Sequence, residues 1–482
     1  MTTVRAGLAL VAAVVAAGGC SVVPERDSGE PAVRVPLQWT AAAAEEAAAG
    51  VEPWLDDFDD PELAALAREA VGASFELEAA AARVDAALAR AVIAGADRLP
   101  VITASVDASR SRRGITSESI RVSSLRTNRF AAGVDISWEA DLWGRLGNRA
   151  RAGALDVEVS AGQFEAARLT LAANIARAWF DAAQSSLQLQ LAQSTVVSFE
   201  STLGVIEDRF RRGLNSALDV RLARANVSGA VSRREAGKVS LDGQRRRLEV
   251  LAGRYPGGQV ETRNTLPSIA RSVPAGLPAE LLTRRPDVVA AQRRLGAADE
   301  RASAASKERL PRIVLTGVGG AASGNLENLL DADSLIWSLA GGLVAPVFEG
   351  GRLKAQADVA DAESREALAA YGQTLLEAFR EVETALGAER YLAAQEAALS
   401  AAAEESVLAE TLALEQYRAG LVEIVTLLES QRRSFDAQQA LIEVKNRRLQ
   451  NRIDLYLALG GDFDSPATPG DDAAVLPRTA TP

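Results

Sequence analysis

The 482-residue chain has no histidine, one cysteine and one methionine. Without imidazole it can build no Ser-His-Asp triad and no His-bearing zinc site, and a single thiol can form no internal disulfide. Those absences argue against a hydrolytic enzyme and leave no metal or organic cofactor to expect. Net positive charge is missing too: 53 Lys and Arg stand against 64 Asp and Glu, giving −11 at pH 7, and no Lys/Arg block is interleaved with aromatics. Such a surface repels phosphate backbones, so nucleic acid is excluded as a partner. Long apolar runs are equally scarce. The one candidate, Leu8 to Ala17, is too short to span a bilayer as a helix, so a membrane crossing would have to be made by strands. Proline is absent between Pro100 and Pro256 and between Pro346 and Pro466. Both tracts are rich in Ala, Leu, Glu, Arg and Gln, so they read as very long helices.

The amino terminus reads as an export signal over residues 1–19: Arg5, an apolar stretch, then "AAGGC" leading into Cys20, the only cysteine. That junction resembles a bacterial lipoprotein cleavage box, with Ala17 where leucine is usual. It implies a covalent lipid on Cys20, and several acyl chains would hold firmly, since each buried methylene contributes ~0.8 kcal/mol. Residues 20–50 read as a linker and 462–482 as a loosely ordered tail.

Between these ends the chain repeats itself. "WGRL" at Trp143 to Leu146 matches "GGRL" at Gly350 to Leu353, "FRRGL" at Phe210 matches "YRAGL" at Tyr417, and "LEVLAG" at Leu248 matches "LYLALG" at Leu455, all shifted by 207. "ADRLP" ending at Pro100 matches "KERLP" ending at Pro311 with a shift of 211, so a loop in the first copy is four residues longer. The first repeat is placed at 51–260 and the second at 261–461.

Each repeat carries one long helical hairpin. Leu189, Ala192, Val196, Phe199, Leu203, Ile206 and Phe210 alternate steps of three and four, the spacing that keeps a seam facing a partner helix. A second row runs Leu421, Leu428, Phe435, Ile442, Leu449. Gly213 and Gly420 close the outgoing helices, where a left-handed residue is needed and glycine supplies it most easily. Each is the tip of a hairpin.

At the other end of each repeat the period changes to two. Ile102, Ala104, Val106 and Ala108 alternate with polar residues, as do Phe130, Ala132, Val134, Ile136 and Trp138. Strands are expected at about 100–110, 128–139, 311–319 and 334–347. An apolar and a polar face suit a strand between lipid and a watery lumen, and four strands cannot close a barrel alone, so several chains would share one.

Together these features resemble the TolC-like outer-membrane efflux channels, in the lipoprotein branch that serves resistance-nodulation-division (RND) pumps. The resemblance rests most on "GLPAELLTRRPDVVAAQRRLGAA" (Gly276 to Ala298), with "DDPELAALAREA" (Asp59 to Ala70), "LPRIVLTG" (Leu310 to Gly317), "FEGGRL" and "YRAGL". It implies a mainly helical fold with a β-barrel part. Three chains would share a twelve-stranded outer-membrane barrel on a periplasmic tunnel of helices, a homotrimer lipid-anchored in the outer membrane. It implies a passive exit duct for drugs or other small molecules, partnered by a periplasmic adaptor and an inner-membrane pump. By the same resemblance Val425 and Glu429 are the pore gate, with Glu429 in place of the usual aspartate. Three converging carboxylates would repel, raising their pKa and favouring cations or opening. Tyr417, Arg418 and Asp219 match latches that tie neighbouring hairpins, and Arg212, Gly213, Leu214, Ala419, Gly420 and Leu421 match the adaptor-contact tips.

Three other readings compete. "GVGGAASG" (Gly317 to Gly324) follows a strand as a phosphate-binding turn does, but leads to another strand rather than a helix. A lipidated coiled-coil scaffold without a pore would account for the heptads and Cys20, but not for the alternating strands. The duct could also serve another kind of exporter.

Overall fold

In a computed structural model the chain is described at residues 31, 33–36, 38–41, 54–117, 120–269, 273 and 278–461. Cys20, the signal segment and the tail lie outside these residues. In chain order the helices are α1 (Pro61–Ala73), α2 (Phe75–Ala96), α3 (Arg145–Arg211), α4 (Ala217–Leu251), α5 (Leu281–Arg284), α6 (Pro286–Lys307), α7 (Arg352–Ala419) and α8 (Ile424–Ala458). The strands are β1 (Val101–Ser117), β2 (Ile120–Ala140), β3 (Arg312–Ser323) and β4 (Leu335–Val344). The starts of α3 and α7, and both ends of α4 and α8, differ by the 207 of the repeat, and α2 and α6 differ by 211. The helices flanking the strands and those of the hairpins are therefore built alike in the two copies, whereas the 13-residue α1 is answered only by the four-residue α5.

Two compact units cut across the repeats, each taking matching segments from both. The first is built on Arg83–Ala161 and Ala290–Gly372. It holds one antiparallel sheet in the order β1-β2-β3-β4. The helices of this unit join the strands at one end of the sheet, and the end of β1, the start of β2 and the β3–β4 connection lie at the other. β1 and β2 run past the expected strands by up to eight residues, because 109–129 has no apolar alternation to mark it as strand. Gly317, Gly319 and Gly320 lie inside β3, which removes the phosphate-turn reading. A Cβ at Gly320 would sit 2.3 Å from the Ala132 carbonyl oxygen, so only glycine permits this approach of β2 and β3.

The second unit is built on Val33–Ala82, Gly162–Val289 and the chain from Gln373. Its core joins Trp54, Phe58, Leu63, Trp179, Phe180, Leu248 and Ile453. Asp60, itself buried, explains the "DDPEL" motif: one oxygen accepts from the backbone N–H of Glu62 and Leu63 to cap α1, and the other accepts from the Trp179 indole at 2.9 Å. The "TRRPD" motif is a buried ionic hub. Arg285, 7% exposed, forks onto both oxygens of Asp287 (3.0 and 2.7 Å), reaches Glu381 at 2.6 Å and donates to the Ala458 carbonyl at 3.2 Å. It thereby fastens the start of α6 to α7 and to the end of α8.

The expected seam on α3 is buried at Ala192, Val196, Phe199 and Ile206 and opens only at Phe210. On α8 the structure corrects the sequence reading. Near the tip the buried row is Ile424, Leu427, Gln431 and Ser434, one position ahead of Leu428 and Phe435, and Leu421 is 76% exposed. Polar residues fit that row because Gln431 Nε2 donates to Ser198 Oγ (3.1 Å) and Thr202 Oγ1 (2.9 Å) on α3, and the Ser434 hydroxyl accepts from the Gln438 amide (3.1 Å).

Candidate functional site

The two tips are closed by the same backbone device. The N–H of Gly213 donates to the Phe210 carbonyl and that of Leu214 to Arg209; the N–H of Gly420 donates to Tyr417 and that of Leu421 to Gln416. This paired closure demands a left-handed residue, and the glycines have φ of +76° and +78°. Arg212, Leu214, Ala419 and Leu421 surround them at the surface, and Arg212 pairs with Asp208 at 2.6 Å. Both tips thus present an apolar side chain beside exposed backbone.

The tips also hold each other. Ile206, Val220 and Ala223 from the first hairpin form one cluster with Ala413, Tyr417, Ile424 and Leu427 from the second. Tyr417 is buried, its hydroxyl accepts from the Asn215 amide, and the Arg209 guanidinium lies 5.0 Å over its ring. Arg209 further donates to the backbone carbonyls of Tyr417 (3.3 Å) and Arg418 (3.4 Å) and to Asn215 Oδ1 (3.2 Å). Of the three latch residues, Tyr417 therefore links the two hairpins of one chain. Arg418 is exposed and contributes only its carbonyl. Asp219 forms a capping box with Ser216 at the start of α4. Arg209 and Asn215 escaped the sequence reading, since nothing local marks a partner 200 residues away.

Val425 and Glu429 sit one turn apart on α8, and Val425 is 60% exposed. Both border a groove with Phe199, Leu222, Leu428 and Phe435, where Arg233 stands 5.2 Å over the Phe435 ring. Within one chain the electrostatics run opposite to the expectation from three converging carboxylates. Glu429 accepts from Arg432 (2.8 and 3.0 Å) and from Arg433 (2.8 Å), and these hydrogen bonds hold its pKa down to about 2. The local guanidiniums offset the charge that would otherwise repel.

In the sheet, the strand register gathers most of the large apolar residues on one face. Ile102, Ala104, Val106 and Ala108 of β1 align with Phe130, Ala132, Val134, Ile136 and Trp138 of β2, Ile313 and Leu315 of β3, and Leu335, Trp337, Leu339 and Leu343 of β4. The other face carries Thr103, Ser105, Asp107, Asp135, Ser137 and Glu139 on β1 and β2, and Thr316 and Ser338 among Val314, Val318, Ile336 and Val344 on β3 and β4. Most of the large apolar side chains stand exposed, Trp337 at 83%. From Phe130 to Trp138 the face spans about 27 Å at ~3.4 Å per residue, close to the ~25 Å apolar band of a membrane barrel. Among the described residues β1 and β4 each pair on one side only, leaving two open edges.

The model of the outer membrane efflux protein family matches residues 66–254 and 277–461. The outer membrane protein OprJ of Pseudomonas aeruginosa is 31% identical over 452 residues, 93% of this chain and 94% of OprJ. The pyoverdine export outer membrane protein OpmQ of Pseudomonas putida is 33% identical over 453 residues, 89% of this chain and 93% of OpmQ. Among solved structures, the outer-membrane channel OprN superposes with a TM-score of 0.85 at 26% identity, covering 92% of this chain and 99% of that one.

Proposed function

The chain belongs to the outer membrane efflux protein family and is an outer-membrane channel component of an efflux system, and from that premise we propose how its residues divide the work. Three copies join β4 of one to β1 of the next and close a barrel of twelve strands. The observation that carries this reading is the open sheet itself, with one exposed apolar face, an opposite face that is polar over β1 and β2, and two edges unpaired among the described residues. Lipid covers the apolar face, and solutes leave through the polar lumen. A lipid on Cys20 adds a second anchor.

Val425 and Glu429 form the gate, with Arg432 and Arg433 setting its charge. The tips, Arg212, Gly213, Leu214, Ala419, Gly420 and Leu421, receive a periplasmic adaptor, which connects the duct to an inner-membrane RND pump. The Tyr417, Arg209 and Asn215 link fixes the spacing of the two tips of each chain. The duct is passive and performs no catalysis; which compound leaves is decided at the pump.

The Gly420→Trp variant tests this division. With wild-type levels of protein in the outer membrane, it abolishes efflux of ethidium from cells whose other efflux channels have been deleted. Retained efflux would reject the tip surface.

A further inference from the structure

The β1–β2 hairpin continues beyond β3 and β4, and its extension differs in charge from the rest of the chain. β2 pairs with β3 only from Phe130 onward, so residues before it pair with β1 alone. Residues 109–129 contain six arginines and one acid, Glu118, in a chain whose net charge is −11. Register places Arg110, Arg112 and Arg126 on the face that carries Val106, Ala108, Phe130 and Ala132. That face is apolar through Ala108 and Phe130 and cationic from the next outward pair. Arg112 stands directly opposite Arg126, a like-charge pair that destabilises a sheet unless an anion lies between. Arg110, Arg112, Arg126 and Arg129 are exposed, and among the described residues no carboxylate pairs with any of them. Elsewhere this chain pairs arginine with carboxylate repeatedly, as at Arg285, Arg432 and Arg452.

We propose that Arg110, Arg112 and Arg126 form a binding site for the phosphate groups of anionic lipid in the outer leaflet. The proposal rests on the barrel reading above. With the helices at the periplasmic end of the sheet, the hairpin turn lies at the outer end. The arginines then follow immediately on the apolar band, on its lipid side. A guanidinium there keeps its stem against acyl chains and its fork at headgroup level, where it meets phosphate bidentately. Cationic residues beside an anionic leaflet each add to the attraction, and three together make a site for a doubly charged headgroup. A loop that meets only water would need neither the shared face nor the continuity with the apolar band.

The test uses the full-length protein purified in detergent, with retention of added lipid read by native mass spectrometry. The probes are bisphosphorylated lipid A, the same lipid dephosphorylated, and inorganic pyrophosphate. The triple variant Arg110→Ala, Arg112→Ala, Arg126→Ala is expected to retain bisphosphorylated lipid A at least about tenfold less than wild type. Retention of the dephosphorylated lipid should not change, and the corresponding triple lysine variant should keep most of the binding. Equal retention of bisphosphorylated lipid A by the alanine variant would overturn the proposal. So would displacement by equimolar pyrophosphate, which would mark a site for soluble anions. An alanine variant that falls to monomers in lipid-free detergent would assign the arginines to contacts between chains instead. Failure of the barrel reading shows separately, as a wild type that forms no oligomer, and it would remove this proposal as well.

Discussion

Replacing Arg285 by alanine removes the centre of the ionic hub that joins α6, α7 and α8. Its guanidinium makes four hydrogen bonds, two of them in the fork onto Asp287, and the residue is almost wholly buried. Burial pushes the Asp287 carboxyl up, but the Arg285 fork outweighs it and holds the pKa below the ordinary value. Breaking a buried pair by deleting one partner costs about 3–5 kcal/mol. The carboxylates left behind are 42% and 37% exposed, so water relieves part of the penalty and a loss of about 3 kcal/mol is expected. Lysine keeps the charge but loses the fork, with an expected cost of about 1–2 kcal/mol. Denaturant unfolding of the purified protein followed by tryptophan fluorescence measures both, at one fixed protein concentration because assembly contributes to stability. Since the folded pKa of Asp287 is depressed, its contribution is complete above the ordinary carboxylate range and lost as the pH falls through the folded value. An Arg285→Ala variant within about 0.5 kcal/mol of wild type would refute the hub.

Gly320→Ala should block barrel assembly, because its Cβ would also lie 2.6 Å from Gly133 Cα. Gly319→Ala should assemble normally, since nothing lies within 4 Å of its added Cβ; heat-modifiable gel mobility separates the two outcomes. With Glu429 held near pKa 2, cation preference of the reconstituted channel should stay constant from pH 8 to pH 4, and a midpoint near pH 5–6 would show that repulsion among three carboxylates prevails. Replacing both Arg432 and Arg433 by alanine should raise that pKa and strengthen cation preference, read as a shift in reversal potential.

Much of this architecture is legible in the sequence because it is periodic. The constant shift of 207 placed the helices of both repeats, and the glycines at 213 and 420 marked the tips, since few other residues take positive φ. Alternation located the strands where Ala104 and Val134 stand against Thr103 and Asp135. It failed over 109–129, where arginine replaces the apolar partner. The buried row of α8 was misread because Gln431 and Ser434 are polar, and their burial depends on partners, Ser198 and Thr202 on another helix for Gln431 and Gln438 for Ser434. The roles of Arg209 and Asn215 at Tyr417, and the reach of Arg285 to Glu381 and Ala458, depend on partners far away in sequence, so no local pattern carries them. The depressed pKa of Glu429 was within reach, because Arg432 and Arg433 follow it by three and four positions on one helix.

Single-particle electron microscopy of the detergent-purified protein, with a mass determination on the same sample, tests the shared barrel most directly. The account predicts three chains around one axis and a twelve-stranded barrel in which β4 of each chain pairs with β1 of the next. A particle of one or two chains, or a sheet whose apolar face is covered by helices of its own chain, would contradict it.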